Sequence, residues 1–565
     1  MEQTKGLKAL SKGLLLFGVL TLLISCKDNP EVADTPAEVP QLWTPYDEAA
    51  LVSASKAEGG PDYSLIQSHF QDKQEVFETL YPEAMALSEA RYGQLKSLIL
   101  EQPVTQLQDA VARGEVSYEE ITRFYLRRIF KYELDSTKTL NAIIALNPDA
   151  VQQARDRDYV LKAMPAEQRH PIFGMPVLVK DNIGVAGMPT TAGAAALANH
   201  SPENAFVTGR LKARGAIVLG KLNMSEWAYF FCQQCPSGYS AIGGQTLNPY
   251  GRATLSPGGS SSGSGAAIAA GYAFAAIGTE TSGSILSPAS QNGLVGLKPS
   301  VGMLSRTGII PISNALDTPG PMARKVLDAA VLMDAMTGQD PSDNVSTDFY
   351  FPDGLFLPAV VDLSEKRFGY YTDLKESDSL YARALDVLEA AGANLVALQQ
   401  PDRPNLPFRE FLAAEMKRAL PAYLEAYPVA GIADLNAILD YNRADSLLRM
   451  PYGQYYLEQT AASTLTDEEL AAMDAQMKAD GQAYFKEAFQ DLELNAVLDI
   501  SNRLASVAAV GRFPALTQPM GFREDGRPAS LTWIGPTYTE KQLLNFALAF
   551  EGLERFRRAP KDYLE

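Results

Sequence analysis

Hydrophobic positions in this 565-residue chain first settle into a clear period after residue 103. Over Val104–Ile129 apolar residues recur every three or four positions, which predicts two helices separated by a break at 113–115. Ser117 and Glu120 have the spacing of a capping box, in which a serine and a glutamate satisfy free N–H groups at a helix start. We therefore place the start of the second helix at Ser117.

Strands and helices alternate beyond this helical pair. Unbroken apolar runs predict strands at 140–146 and 172–180, with a helix at 150–162 between them. The alternation continues further along, with helices at 206–214, 326–336 and 379–391 and strands at 216–220, 368–371 and 394–398. Elements in this order are typical of an α/β fold.

Two further segments read mostly as helix. Residues 46–103 form a leading segment with no functional signal, and the main domain is predicted to span 104–560. Within it, 408–490 is rich in helical patterns and carries six tyrosines, Tyr423, Tyr427, Tyr441, Tyr452, Tyr455 and Tyr456. We expect this segment to form a lid or wall over the functional site, ordinary helical packing being the alternative.

The first 25 residues have the pattern of an export signal. Three lysines precede an apolar run at 13–25, which is too short to span a bilayer, and Cys26 follows it directly. This pattern resembles a bacterial lipoprotein signal, with an uncleaved anchor or an ordinary signal peptide as alternatives. Residues 26–45 contain several prolines and are expected to form an extended tether. We expect Cys26 to be lipidated and to anchor an extracytoplasmic protein to a bacterial membrane, the outer membrane being one candidate.

Charge and cysteine content exclude several classes of partner. The net charge of −18 argues against nucleic acid or an anionic membrane surface as a partner. Besides Cys26 the chain contains Cys232 and Cys235, followed by a Pro-Ser-Gly turn where a thioredoxin-like motif would continue into a helix. A zinc site would need further ligands, and only three histidines exist. A structural disulfide or two free thiols remain, and we predict no metal.

Two loops rich in glycine and serine bracket an alanine-rich segment. The first loop covers 258–265, a helix is predicted at 266–272, and the second loop covers 279–284. A flexible linker would not lie between hydrophobic segments, and a phosphate-binding loop of the Walker type would need a lysine that is absent here. The arrangement can aim two serine hydroxyls at one point.

These residues resemble the amidase signature family. The first loop reads Gly-Gly-Ser-Ser-Ser-Gly, the second Thr-Glu-Thr-Ser-Gly-Ser-Ile, and Pro288 follows. Ser260 and Ser284 have the family's spacing, and Lys180 ends an upstream Gly-x-Pro-x-x-x-Lys segment that matches the family's lysine motif. The resemblance covers about 104–554 and implies a mixed central β-sheet surrounded by α-helices.

The resemblance also implies a set of catalytic roles and no cofactor. Ser284 would be the nucleophile and Lys180 would be the base. Ser260, which would follow a cis peptide bond, would relay protons between them. The backbone N–H groups of Thr281, Ser282, Gly283 and Ser284 would form the oxyanion hole, and Ser261 would support the relay. Burial of Lys180 at the end of an apolar strand should lower its pKa, because burial penalises the charged form. The three histidines, His69, His170 and His200, lie outside the two serine loops.

Two departures from the family pattern concern the substrate. Leu286 stands where many relatives have arginine, and Ser282 where many have glycine or aspartate. The branch that resembles peptide amidases, which release ammonia from C-terminal carboxamides, tolerates such changes. We therefore expect a secreted amidase acting on a small-molecule or peptide amide. The alternatives are the amidase subunit of a transfer-RNA amidotransferase and a non-catalytic amide-binding lipoprotein.

Overall fold

An eleven-stranded mixed sheet organises this computed structural model, which describes residues 39–57, 60–165, 168–347 and 357–565. From Gln41 to Glu565 the chain forms one unit. Its strands are β1 (Ile143–Leu146), β2 (Pro176–Lys180), β3 (Ile217–Leu222), β4 (Tyr239–Ser240), β5 (Gly244–Gln245), β6 (Ala275–Glu280), β7 (Val295–Lys298), β8 (Thr318–Ala323), β9 (Arg367–Tyr371), β10 (Asn394–Leu398), β11 (Ala496–Ile500), β12 (Ala515–Phe522) and β13 (Pro528–Ile534). Strands β4 and β5 form a separate pair. The predicted fold class is confirmed.

The order across the sheet is β1-β3-β2-β6-β8-β7-β12-β13-β11-β9-β10. Strand β2 is parallel to both β3 and β6, whereas β8 is antiparallel to β6 and β7. The carboxyl ends of parallel neighbours lie at the same edge of a sheet, which in open α/β sheets is where ligands bind. Lys180 ends β2 and Glu280 ends β6, so the lysine motif and the second serine loop meet at that edge.

Helices cover both faces of the sheet. They are α1 (Ala49–Ala57), α2 (Lys73–Phe77), α3 (Tyr81–Met85), α4 (Glu89–Ile99), α5 (Val104–Ala112), α6 (Tyr118–Glu133), α7 (Ala150–Leu161), α8 (Phe206–Ala213), α9 (Ser262–Ala269), α10 (Leu286–Gln291), α11 (Val326–Met336), α12 (Thr372–Ser377), α13 (Ser379–Ala390), α14 (Phe408–Ala426), α15 (Leu435–Ala444), α16 (Ser446–Arg449), α17 (Tyr455–Ala462), α18 (Asp467–Tyr484), α19 (Ala505–Val510) and α20 (Glu540–Leu553). The capping box of Ser117 and Glu120 is present at the start of α6.

Two apolar cores hold these layers together. The larger one lies around the sheet and includes the buried strands β2, β3 and β6. The second joins the helical segment 408–490 to residues near Trp227 and Ile312. Because this second core lies beside the carboxyl edge of β2 and β6, it fixes the helical segment next to the serine loops.

One predicted boundary is wrong in an informative way. We expected loop at 258–265 and helix at 266–272, whereas α9 begins at Ser262 and ends at Ala269. A Cβ at Gly263 would lie 2.4 Å from the carbonyl oxygen of Asn223, and a Cβ at Gly265 would lie 2.6 Å from the Asn292 side chain. These glycines allow close packing of a helix start, although their composition is typical of a loop.

Strand β8 was not predicted. It reads Thr-Pro-Gly-Pro-Met-Ala and lies between β6 and β7. Proline cannot donate a ladder hydrogen bond and argues against a central strand, which is why the pattern missed this element. The strand matters because it carries the residue before it, Asp317, to the edge where β2 and β6 end.

The ends of the chain and its cysteines complete the description. The predicted signal at 1–25 and the lipidation site Cys26 lie outside the described residues. Within the described ranges, no helix has the length and apolar character needed to cross a membrane. Cys232 and Cys235 are joined in a disulfide, their Cα atoms 5.6 Å apart, so of the two alternatives the structure contains the pair.

Candidate active site

Lys180 and Ser260 form the centre of the site. The Lys180 ammonium group lies 2.8 Å from Ser260 Oγ, 2.8 Å from Thr279 Oγ1 and 3.1 Å from the Thr279 carbonyl oxygen. Strands β2 and β6 bring the lysine and Thr279 together, because they are parallel neighbours. Lys180 is fully buried, and burial lowers its pKa from 10.5 to about 7.

The partners of Lys180 suit both of its protonation states. A charged lysine has three N–H donors, and all three partners can accept a hydrogen bond. Two of the partners, Ser260 and Thr279, are hydroxyl groups that can also donate. A neutral lysine can therefore accept the hydroxyl proton of Ser260 while it still donates to the Thr279 carbonyl. This is the arrangement that a base acting on Ser260 requires.

Backbone contacts hold the two serine loops against each other. The N–H of Ser261 donates to the carbonyl of Ser284 at 3.2 Å, and the N–H of Ser225 donates to the carbonyl of Ser260 at 3.0 Å. The peptide bond between Gly259 and Ser260 is cis. The Ser261 hydroxyl lies 3.1 Å from the carbonyl of Thr279 and 3.2 Å from its N–H, so it braces the residue that binds Lys180.

Ser284 opens onto a cavity of about 310 Å³. In the part of the chain that the structure describes, its hydroxyl hydrogen-bonds no protein group, which leaves it free for a substrate. The cavity wall contains Ala228, Tyr229, Phe230, Ser237, Gly259, Thr281, Ser282, Gly283, Ser287, Ile312, Phe408, Leu412 and Asn502. These residues are neutral at pH 7, so the cavity suits an uncharged group.

Glu280 shapes the turn that carries Ser284. Its buried carboxylate accepts hydrogen bonds from the N–H groups of Gly283 at 2.6 Å, Ile285 at 2.7 Å and Leu286 at 3.0 Å. Gly283 has a φ of 79°, a conformation that favours glycine. Three amides are thus tied to one carboxylate, which fixes the backbone on both sides of Ser284.

A second cavity of about 600 Å³ adjoins the same turn. Asn182, Thr279 and Asp317 line it near Lys180, and Ala228, Thr281 and Ile312 line both cavities. Helix α14 forms part of both walls: Phe408 and Leu412 reach the Ser284 cavity, and Ala419, Ala422, Tyr423 and Ala426 reach the second one. The helical segment 408–490 therefore supplies a wall of the site through its first helix.

Another part of the wall of the Ser284 cavity comes from a left-handed turn. Trp227, Ala228 and Tyr229 have φ values of 50°, 53° and 74°. Consecutive non-glycine residues in this region are held there only by their surroundings. Here Tyr229 donates its hydroxyl to the carbonyl of Cys235 at 3.1 Å, and the Phe230 ring stacks on Tyr456 at 5.1 Å. The disulfide and the helical segment 408–490 thus hold this wall in place.

The histidines lie elsewhere. His170 Nε2 is 2.8 Å from Asp334, and His200 Nε2 is 2.9 Å from the Tyr423 hydroxyl. His69 lines a separate cavity formed with Trp43 and the N-terminal segment. Among the described residues, no histidine hydrogen-bonds Lys180, Ser260 or Ser284, which leaves Lys180 as the candidate base.

Sequence reasoning missed the roles of five residues around this centre. Thr279 and Glu280 belong to the second serine loop and Asn182 follows Lys180 by two residues, but their roles depend on contacts that only the sheet creates. Asp317 belongs to no motif, and its one signal is its place directly before a strand that was itself missed. Asn502 comes from beyond β11 and gave no signal at all.

Fold and site together place a buried lysine and two serines at the carboxyl edge of a mixed sheet, and comparison with known proteins identifies the class of protein. The family model named Amidase matches residues 120–544. A probable amidase of Arabidopsis thaliana is 33% identical over 82% of this chain and 92% of the relative. The chain is an amidase and belongs to the amidase signature family.

Two further relatives bear on the branch. The crystal structure of native peptide amidase from Stenotrophomonas maltophilia has 36% identity and a TM-score of 0.77, over 82% of this chain and 98% of that one. A glutamyl-tRNA(Gln) amidotransferase subunit from Zymomonas mobilis is 31% identical over 81% of this chain and 98% of the relative. Family membership therefore establishes hydrolysis of an amide bond and leaves the substrate to be proposed.

Proposed function

We propose that this amidase hydrolyses a carboxamide, with peptide C-terminal amides as the leading substrate class, through Ser284, Ser260 and Lys180. The observation that carries the proposal is the 2.8 Å contact between Lys180 and Ser260, made by a buried lysine whose pKa is lowered to about 7. Similarity to a peptide amidase at 36% identity supports the substrate class, as does the uncharged wall of the Ser284 cavity.

The first half of the reaction forms an acyl-enzyme. The hydroxyls of Ser260 and Ser284 are not hydrogen-bonded to each other in the described structure, so the relay requires them to approach when substrate binds. Ser284 Oγ then bonds to the carbonyl carbon as its proton passes to Ser260 Oγ, whose own proton passes to Lys180 Nζ. Breaking the C–N bond returns a proton along the same relay to the nitrogen, which leaves as ammonia or an amine. Splitting one difficult step in this way is the benefit of covalent catalysis.

The second half restores the enzyme. Water attacks the ester carbon, and its proton passes through Ser260 to Lys180. Breaking the bond to Ser284 returns a proton to Oγ, and the carboxylic acid leaves. Lys180 therefore ends the cycle as it began, neutral and ready to accept a proton.

The oxyanion formed in both halves needs backbone donors. Glu280 already accepts the Gly283 N–H, whereas no described protein group accepts the N–H groups of Thr281, Ser282 or Ser284. These three amides are the donors that carry this part of the proposal, and Gly283 joins them once its N–H leaves Glu280. Losing one donor of this kind typically costs about 10²–10³ in kcat.

Ammonia release by the purified protein tests the activity. The substrates are peptide amides, fatty amides, aryl amides and glutamine, with Ser284→Ala as the blank. We expect turnover of peptide amides that Ser284→Ala lacks. Turnover of glutamine alone would favour a glutaminase subunit, and binding without turnover would favour a non-catalytic amide-binding protein.

We also propose that the mature protein is a lipid-anchored, extracytoplasmic enzyme. The support is the basic start, the short apolar run and Cys26 in the sequence. Detergent phase separation of cells expressing wild type and Cys26→Ala tests it. Wild type should enter the detergent phase and the variant should not; equal partition of both into the aqueous phase would refute the anchor.

A further inference from the structure

Asp317 makes contacts that the proposed mechanism does not use. One carboxylate oxygen accepts the Thr281 hydroxyl at 2.6 Å, and the other accepts the N–H groups of Ile312 at 2.8 Å and Ser313 at 2.9 Å. No ion pair to Asp317 occurs within the described ranges. One carboxylate thus joins the turn before Ser284 to a loop that lies far away in sequence.

That loop is held from its other side by α14. Glu415 accepts the Ser313 hydroxyl and the Ala315 N–H, each at 2.9 Å. Thr281 and Ile312 line both cavities and therefore form part of the partition between them. Asp317 hydrogen-bonds both of these residues and so supports the partition. A change at this carboxylate would displace both the partition and the turn that carries Ser284.

The charge of Asp317 also acts on Lys180. Two carboxylates oppose the effect of burial on the lysine pKa: Asp317 contributes more and Glu280 less, and both raise it. Burial raises the pKa of Asp317 itself, while its hydrogen bonds and the charge of Arg306 lower it. Arg306 is paired with Asp343 at 2.6 Å and so is largely neutralised.

We propose that Asp317 is a positioning residue for the amide hydrolysis described above: its carboxylate fixes Thr281 beside Ser284 and lines the same cavity as Asn182 and Thr279, next to Lys180. The inference rests on the proposed function, because it requires Lys180 to act as the base. Asp317 contacts neither Ser260 nor Ser284 through a hydrogen bond in the described structure, so it acts through Thr281 and Lys180.

Asp317→Asn separates charge from shape. The amide oxygen can still accept the N–H groups of Ile312 and Ser313, and the amide nitrogen can donate to Thr281 Oγ1. Removing the negative charge should lower the pKa of Lys180, because that charge favours the protonated form. The fall of kcat/KM at acid pH should therefore occur at lower pH in Asp317→Asn, so that its activity at pH 6, relative to its own plateau, exceeds that of wild type several-fold.

Matched variants separate the two effects. Thr281→Val removes the hydroxyl but keeps the carboxylate, so the plateau kcat should fall while the pH at which kcat/KM falls stays the same. Thr281→Ser keeps the hydroxyl and should restore the plateau. Asp525→Asn removes one charge from an exposed turn, where Asp525 pairs with Arg527. This control should change neither the plateau kcat nor the pH at which kcat/KM falls.

The outcomes distinguish this inference from the proposed function. If kcat/KM of Asp317→Asn falls at the same pH as that of wild type, or at a higher pH, the inference is overturned while the lysine mechanism stands. Near-normal activity of Lys180→Ala would instead overturn the mechanism itself. If Asp317→Asn does not fold, the Thr281 pair still decides: equal plateau kcat values for valine and serine would overturn the positioning role.

Discussion

Lys180→Arg offers the sharpest test of the lysine as base. Arginine keeps the positive charge and the hydrogen-bond donors but cannot lose its proton in a protein. If Lys180 acts as the base, the arginine variant should be as inactive as Lys180→Ala. If the lysine acts only as a charge, the arginine variant should retain much of the activity.

The structure sets the magnitude of the pH effect. A pKa of about 7 leaves about half of Lys180 neutral at pH 7, whereas an ordinary lysine would be under ~0.1% neutral. A protonated lysine cannot accept a proton. Activity is therefore lost as pH falls below the pKa of Lys180 and is complete above it. Between pH 5 and pH 9, kcat/KM should rise about 100-fold.

The assay is ammonia release at substrate concentrations well below KM, across that pH range at constant ionic strength. Circular dichroism at each pH shows whether the fold is intact. Histidine is the other side chain that could produce such a pH profile, so His170→Ala and His200→Ala serve as controls. Both variants should show the same fall of kcat/KM at acid pH as wild type. A flat profile, or an arginine variant with near-normal rates, would refute the reasoning.

Three further outcomes are expected. Ser261→Ala should lower kcat less than Ser260→Ala does, because its hydroxyl only braces Thr279; equal losses would contradict this. Gly263→Ala should destabilise the protein by about 1–3 kcal/mol and lower its Tm, because the new Cβ would lie 2.4 Å from a backbone oxygen and overpack the site. As the control, Gly209→Ala in α8 places its Cβ in open space and should not lower Tm. Reduction of the Cys232–Cys235 disulfide should raise KM several-fold with little change in kcat, by loosening the wall at Tyr229; a double serine variant should show the same KM and no response to reductant.

Local motifs in the sequence determined which groups we propose as the reacting ones. Lys180, Ser260 and Ser284 each occur in a short segment whose order and spacing are diagnostic, and such patterns survive without knowledge of the fold. Helical and strand periods likewise predicted α11 and β10 at their observed bounds, because burial of one face or of a whole strand imposes a regular pattern. Amide hydrolysis was therefore predictable from the chain alone.

Only the tertiary structure decided what surrounds those groups. Strand β8 escaped prediction because it contains prolines. Asp317, which precedes it, was missed as well, since its importance depends on the contacts it makes to Thr281 and to the loop at Ile312 and Ser313. The glycines at the start of α9 predict a loop by composition, and only their close packing against Asn223 explains why they lie in a helix. The cavity walls combine Tyr229, Phe408 and Asn502, which lie far apart along the chain. Periodicity records whether a side chain is buried, but not which distant residue buries it, and that pairing is what shapes the substrate site.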